Sequence, residues 1–114
     1  MGFYDELPTM SPQLIADVTL YSTVEGGIRS AKQLGWNCLC CRSKSEYTFP
    51  KSPDTPHLFG YDGWLLLDKP ISPGENRRLG FVFIAGEEAA DALRKVGTSY
   101  LWSGRFVGEA IVAG

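Results

Sequence analysis

No apolar run in the 114 residues approaches the roughly 18 that a membrane-crossing helix needs, so no such span is expected. Basic charge is not in surplus: 11 Lys and Arg stand against 13 Asp and Glu, a net charge of −2. Nucleic-acid domains usually carry a basic excess because phosphate contacts supply much of their affinity, so that partner class is not favoured. Low-complexity tracts, internal repeats and long charge runs are also missing. Histidine occurs once, at His57, and the cysteine count is odd, which does not suit a structural disulfide. The first residues, MGFYDELPTM, have neither a basic region nor a long apolar stretch. A secretory signal is therefore not expected, a cytoplasmic location is, and the Met-Gly start lacks the second signal that stable lipid anchoring requires.

What is present suits one compact domain. Hydrophobic residues make up 44% and charged residues 21%, enough to bury a real core. Residues 1–12 hold Pro8 and Pro12 and little periodicity, and read as an N-terminal tail or packing strap before a single domain over 13–114. Ala16–Thr23 alternates, with Val18 and Leu20 on one face and Asp17, Thr19 and Tyr21 on the other, the pattern of a half-buried strand ended by Gly26–Gly27. Gly35–Arg42 offers a second strand. Ser43–Gly63 carries Pro50, Pro53, Pro56, Gly60 and Gly63, and reads as a long surface loop with at most an edge strand around Tyr47–Phe49.

Trp64–Asp68 reads as a short apolar strand, and Pro73–Gly74 marks the turn before another over Arg77–Ile84, with Leu79, Phe81 and Phe83 on one face. Between Gly86 and Gly97, Ala89, Ala92, Leu93 and Val96 fall at helical spacing. Glu87 and Glu88 at the start, Arg94 and Lys95 at the end and Gly97 as C-terminal cap complete a short helix near 87–96. A hairpin follows, Thr98–Trp102 and Arg105–Val112, with Ser103–Gly104 as a two-residue turn that would set Trp102 opposite Arg105 and Leu101 opposite Phe106. Six strands and one helix argue for an all-β fold, a small antiparallel six-stranded barrel. Closure removes the sheet edges that a lone sheet would leave open.

Few residues suggest chemistry. Cys38 and Cys40 would share a strand face while Cys41 points away, so the three do not converge as zinc ligands, and they read as small core hydrophobes. No metal and no cofactor is expected. Cys41 and His57 could form a nucleophile–base pair only if the fold brought them together. Asp54 with Asp62 and Glu87 with Glu88 fit no acid–base pattern. Phe59, Tyr61 and Trp64 would form a protein-binding hot spot if exposed, or would pack across a barrel mouth. Arg29, Lys32, Arg42 and Arg105 are the candidate contacts for RNA.

Several segments together resemble the β-barrel that forms the C-terminal domain of elongation factor Tu. That family runs its first strand into an acidic-Gly-Gly-Arg-His-Thr-Pro stretch and then a Gly-Tyr pair; this chain has Glu25–Gly26–Gly27 and later Gly35–Trp36 at the same spacing. The family's Pro-Gly-Asp turn looks like Pro73–Gly74–Glu75. Its closing Gly-Arg-Thr-Val-Gly-Ala-Gly-Val-Val resembles Gly104–Val112 (GRFVGEAIV), so the likeness spans most of Val18–Val112 in order. Departures fall where the relatives approach tRNA: Ile28, Arg29 and Ser30 replace Arg-His-Thr, Ala31 replaces the proline, and Asn37–Cys38 replace Arg-Pro.

The resemblance implies a barrel that works through contacts with neighbouring domains, tRNA or an exchange factor. It does not imply GTP hydrolysis, because no Gly-x-x-x-x-Gly-Lys-Ser/Thr phosphate loop occurs in the chain. The expectation is a non-enzymatic module that binds a protein partner in translation, through a surface drawn from Arg29, Lys32, Trp36, Arg42, Phe59, Tyr61, Trp64 and Arg105. RNA or tRNA binding is the alternative, and a Cys-dependent enzyme comes third.

Overall fold

In the computed structural model, residues 7–43 and 60–113 are described. Six strands, β1 (Leu14–Leu20), β2 (Asn37–Cys41), β3 (Gly60–Leu65), β4 (Asn76–Phe83), β5 (Thr98–Trp102) and β6 (Phe106–Val112), are joined by one α-helix, α1 (Glu87–Val96). Around the barrel the order is β1, β4, β3, β2, β5, β6 and back to β1, and every neighbouring pair is antiparallel. The fold is thus a closed six-stranded antiparallel barrel.

Alternation along β1 builds one wall of the core. Leu14, Ala16, Val18 and Leu20 face inward, each at most 3% exposed, while Ile15 points out. Beside it β4 supplies Leu79, Phe81 and Phe83, the two phenyl rings stacked with centroids 6.0 Å apart. Leu65, Leu101, Val107, Cys38 and Cys40 fill the remainder, and α1 closes one end with Ala89, Ala90 and Leu93.

The helix follows its sequence signals at both termini: the Gly97 N–H bonds to the Leu93 carbonyl at 2.8 Å with φ 87°, a left-handed cap. Its buried stripe differs from the expected one. Ala90 is buried, Ala92 is only half-buried and Val96 is 48% exposed, because the helix lays its small Ala89–Ala90 face against the strands.

Five strands have other limits than expected. The first lies at Leu14–Leu20, the second at Asn37–Cys41, the fourth at Asn76–Phe83 and the sixth at Phe106–Val112, each shifted by one to three residues at its ends, and the third lies at Gly60–Leu65 where a loop to residue 63 and a strand at 64–68 were expected. Two glycines caused the last error. A Cβ at Gly60 would stand 2.6 Å from Leu39 Cγ and one at Gly63 2.9 Å from the Phe83 ring, so these glycines admit neighbouring side chains to the barrel wall and mark no turn. The expected edge strand at 47–49, with Asp54, His57 and Phe59, lies outside the described residues.

The final hairpin also has a different register. Trp102 pairs with Phe106 and Leu101 with Gly108, leaving Val107 as an extra residue, and Ser103, Gly104 and Arg105 form the connection. Gly104 has φ 76° and the Ser103 N–H reaches the Arg105 carbonyl at 2.8 Å. The extra residue is used: Val107 enters the core and its carbonyl accepts the Tyr21 N–H at 2.8 Å.

Residues Leu7–Thr9 form a single 3-10 turn on the outside of the barrel. There Leu7 is 1% exposed and seals a small cluster with Trp64 and Val82, flanked by Met10 and Leu66. Within the expected tail over 1–12, the described residues therefore pack as a strap. Gly80 lets it pass, since a Cβ there would be 2.6 Å from Pro12 Cβ.

Candidate binding surface

Connections 21–36, 66–75 and 103–105 all leave the same end of the barrel, called here the loop end. The connection from β4 through α1 to β5 lies at the opposite end, with the chain's entry into β1.

Hydrogen bonding makes the loop end stiff. Ser22 Oγ donates to Glu25 Oε1 at 2.8 Å, and the Ser22 N–H donates to the same oxygen at 3.1 Å. Gly27 N–H bonds to the Ser22 carbonyl at 2.9 Å, and Thr23 Oγ1 donates to the Ile28 carbonyl at 2.9 Å. Gly27 is obligatory, because a Cβ there would lie 2.1 Å from the Tyr21 carbonyl oxygen. The bonds from Ser22, its hydroxyl foremost, hold the Glu25 carboxyl below the ordinary glutamate range.

A second turn repeats the device beside the first. The Ser72 N–H donates to Glu75 Oε1 at 3.0 Å, and Glu75 also holds Arg77, so its carboxyl too is acidified, first by Ser72 and then by Arg77. Arg77 in turn donates to the carbonyls of Lys69 at 2.9 Å and Pro70 at 2.8 Å. Two bonds join the turns through β1: Leu20 N–H to the Glu75 carbonyl and Gly74 N–H to the Leu20 carbonyl, both 3.0 Å.

This frame presents Val24 almost completely to solvent, 97% exposed. Arg29 is exposed nearby, Lys32 is half-buried with its backbone paired to Ile71, and Trp36 packs half-buried against the core. Arg105 Nη2 donates to the Gly27 carbonyl at 3.2 Å, tying the hairpin tip to the turn. Ile28, at 6% exposure, belongs to the core.

Arg29, Lys32, Trp36 and Arg105 thus all lie in connections at the loop end, and the other predicted surface residues do not. Arg42 follows β2 toward the opposite end, and Tyr61 is half-buried against the core near the start of β3. Trp64 is 6% exposed beneath Leu7. Tyr61 and Trp64 are three positions apart on one strand and so point to opposite faces of the wall, which prevents the expected aromatic cluster. Phe59 lies outside the described residues.

Ion pairing separates the cations into two groups. Arg78 meets Asp17 at 2.9 Å across β1 and β4, Arg94 meets Asp91 at 2.8 Å, and Arg77 has Glu75. Arg29, Lys32 and Arg105 have no carboxylate partner among the described residues.

The cysteines sit as expected on opposite faces, yet all three are buried. Contact with Cys38 above all, and then burial, pushes the Cys40 thiol well up, which disfavours a thiolate there. Among the described residues no group of three or more His, Cys, Asp or Glu could hold a metal ion, and no helix is long and apolar enough to cross a membrane. Val24 and the paired Ser-x-x-Glu turns escaped the sequence reading, although Ser22–Glu25 and Ser72–Glu75 do carry the spacing of a capping box. No protein-family model and no curated protein sequence matches this chain.

Proposed function

We propose that this chain is a non-enzymatic binding module of the elongation factor Tu C-terminal type, working in the cytoplasm, and that it engages a protein of the translation apparatus through its loop end. The observation that carries the reading is the hydrogen-bonded turn that holds Val24 97% exposed in the same connection as the exposed Arg29. An apolar side chain on a preordered frame loses little entropy on docking. Neighbouring cations without carboxylate partners steer a partner of opposite charge. Affinity capture with purified elongation factor as the probe tests the reading: retention by the native protein and its loss in Val24→Asp is expected, and no retention above background sinks the translation link.

Direct RNA binding is the second reading, favoured by Arg29, Lys32 and Arg105, which have no carboxylate partner among the described residues. Its signature would be tRNA affinity that falls steeply between low and moderate salt. A flat salt response rejects it.

A further inference from the structure

On the outer wall, between the strap and the loop end, Leu7, Met10, Leu34, Leu66, Leu67 and Asp68 line an open hollow of about 300 Å³. Three of these, Leu7, Met10 and Leu66, belong to the cluster that Leu7 forms over Trp64 and Val82. Leu34, 36% exposed, lines it from the 21–36 connection. We infer that this hollow is a second docking site, which takes a large apolar side chain from a protein segment that also carries a neighbouring lysine or arginine.

Size and shape set the first half of the inference. The volume is at the low end for small-molecule sites, which run from roughly 300 to 1,000 Å³ and enclose most of their ligand. An open hollow of this size suits one anchoring side chain of a macromolecule, the usual hot-spot arrangement. Leu7 and Met10 already show what the wall accepts: apolar side chains of one segment lying across β3 and β4.

Charge sets the second half. Asp68 is the only charged residue among the described residues that line the hollow, and its side chain is 82% exposed. Arg77 pairs with it at 3.8 Å, but that guanidinium is already committed to Glu75 and to the carbonyls of Lys69 and Pro70. The Asp68 carboxylate is therefore open to a second cation at the rim of an apolar depression. An acidic segment, by contrast, would bring like charge to that rim.

Selection of a displayed short-peptide library on the full chain tests this. Enriched peptides should share Leu, Met or Phe beside Lys or Arg. Leu34→Asp should weaken them at least about tenfold, while Asp68→Lys should turn selection toward Asp or Glu beside the same apolar residue. Both positions are exposed, and unchanged thermal unfolding of each variant would confirm that its fold is retained. No enrichment, or enriched peptides indifferent to both substitutions, overturns the site. So do peptides that depend on Val24 and Arg29 alone, which would place all docking at the loop end.

Discussion

The loop end and the outer wall of β3 and β4 both carry residues that looked like binding surface in the sequence, and they are built in opposite ways. At the loop end, backbone and side-chain hydrogen bonds hold the turns, which leaves Val24 and Arg29 to the solvent. On the outer wall the apolar residues are the framework: Trp64 and Val82 are covered by the chain's own Leu7. A surface that is stiff without its own apolar contacts can offer them to a partner. One held together by those contacts has most of them already in use, and only the hollow at its rim stays open.

Breaking each frame should have different consequences. The largest effect is expected for Gly27→Ala, whose new Cβ would collide with the Tyr21 carbonyl oxygen at 2.1 Å; a loss of about 3 kcal/mol in urea unfolding is expected. Leu7→Ala should follow at about 2 kcal/mol, since it opens a cavity at a site able to collapse in part. A Trp64→Phe background identifies its signature: Leu7→Ala should red-shift the emission of the native protein but not of that background. If the emission is unchanged in both, Leu7 does not shield Trp64.

Arg105→Ala removes one hydrogen bond, to the Gly27 carbonyl, and should cost about 1 kcal/mol. Its sharper readout is partner affinity, which should fall more than in Arg94→Ala at the far end; equal losses would dissolve the contrast between the two ends. The smallest effect concerns acid. Glu25 and Glu75 titrate below the ordinary glutamate range when folded, so their stabilisation is present above that range and is lost as pH falls through the lowered values. Acid should therefore loosen the loop end, and Glu25→Gln should flatten the pH dependence of amide-exchange protection over residues 22–27 while leaving α1 unchanged.

Much of the barrel was legible because local patterns agreed with the fold. The alternation of Val18 and Leu20, the caps of α1 and the final hairpin each express a local rule. Gly60 and Gly63 misled because a glycine admitted for a neighbour's side chain looks the same in sequence as one needed for a turn. The candidate surface was half legible for a similar reason. Residue type suggested Arg29, Lys32 and Arg105, but Tyr61 and Trp64 looked like one cluster until strand parity sent them to opposite faces.

By itself the sequence determined the strand class, the helix and its termini, and the presence of turns near residues 26 and 74, because these depend on periodicity and backbone freedom within a few residues. Only the tertiary structure decided that β1 lies between β4 and β6, that two Ser-x-x-Glu turns meet at one end, and that a residue seven positions from the start of the chain covers Trp64. Those outcomes depend on which distant surfaces can be buried together once the barrel closes, and no local pattern records that choice.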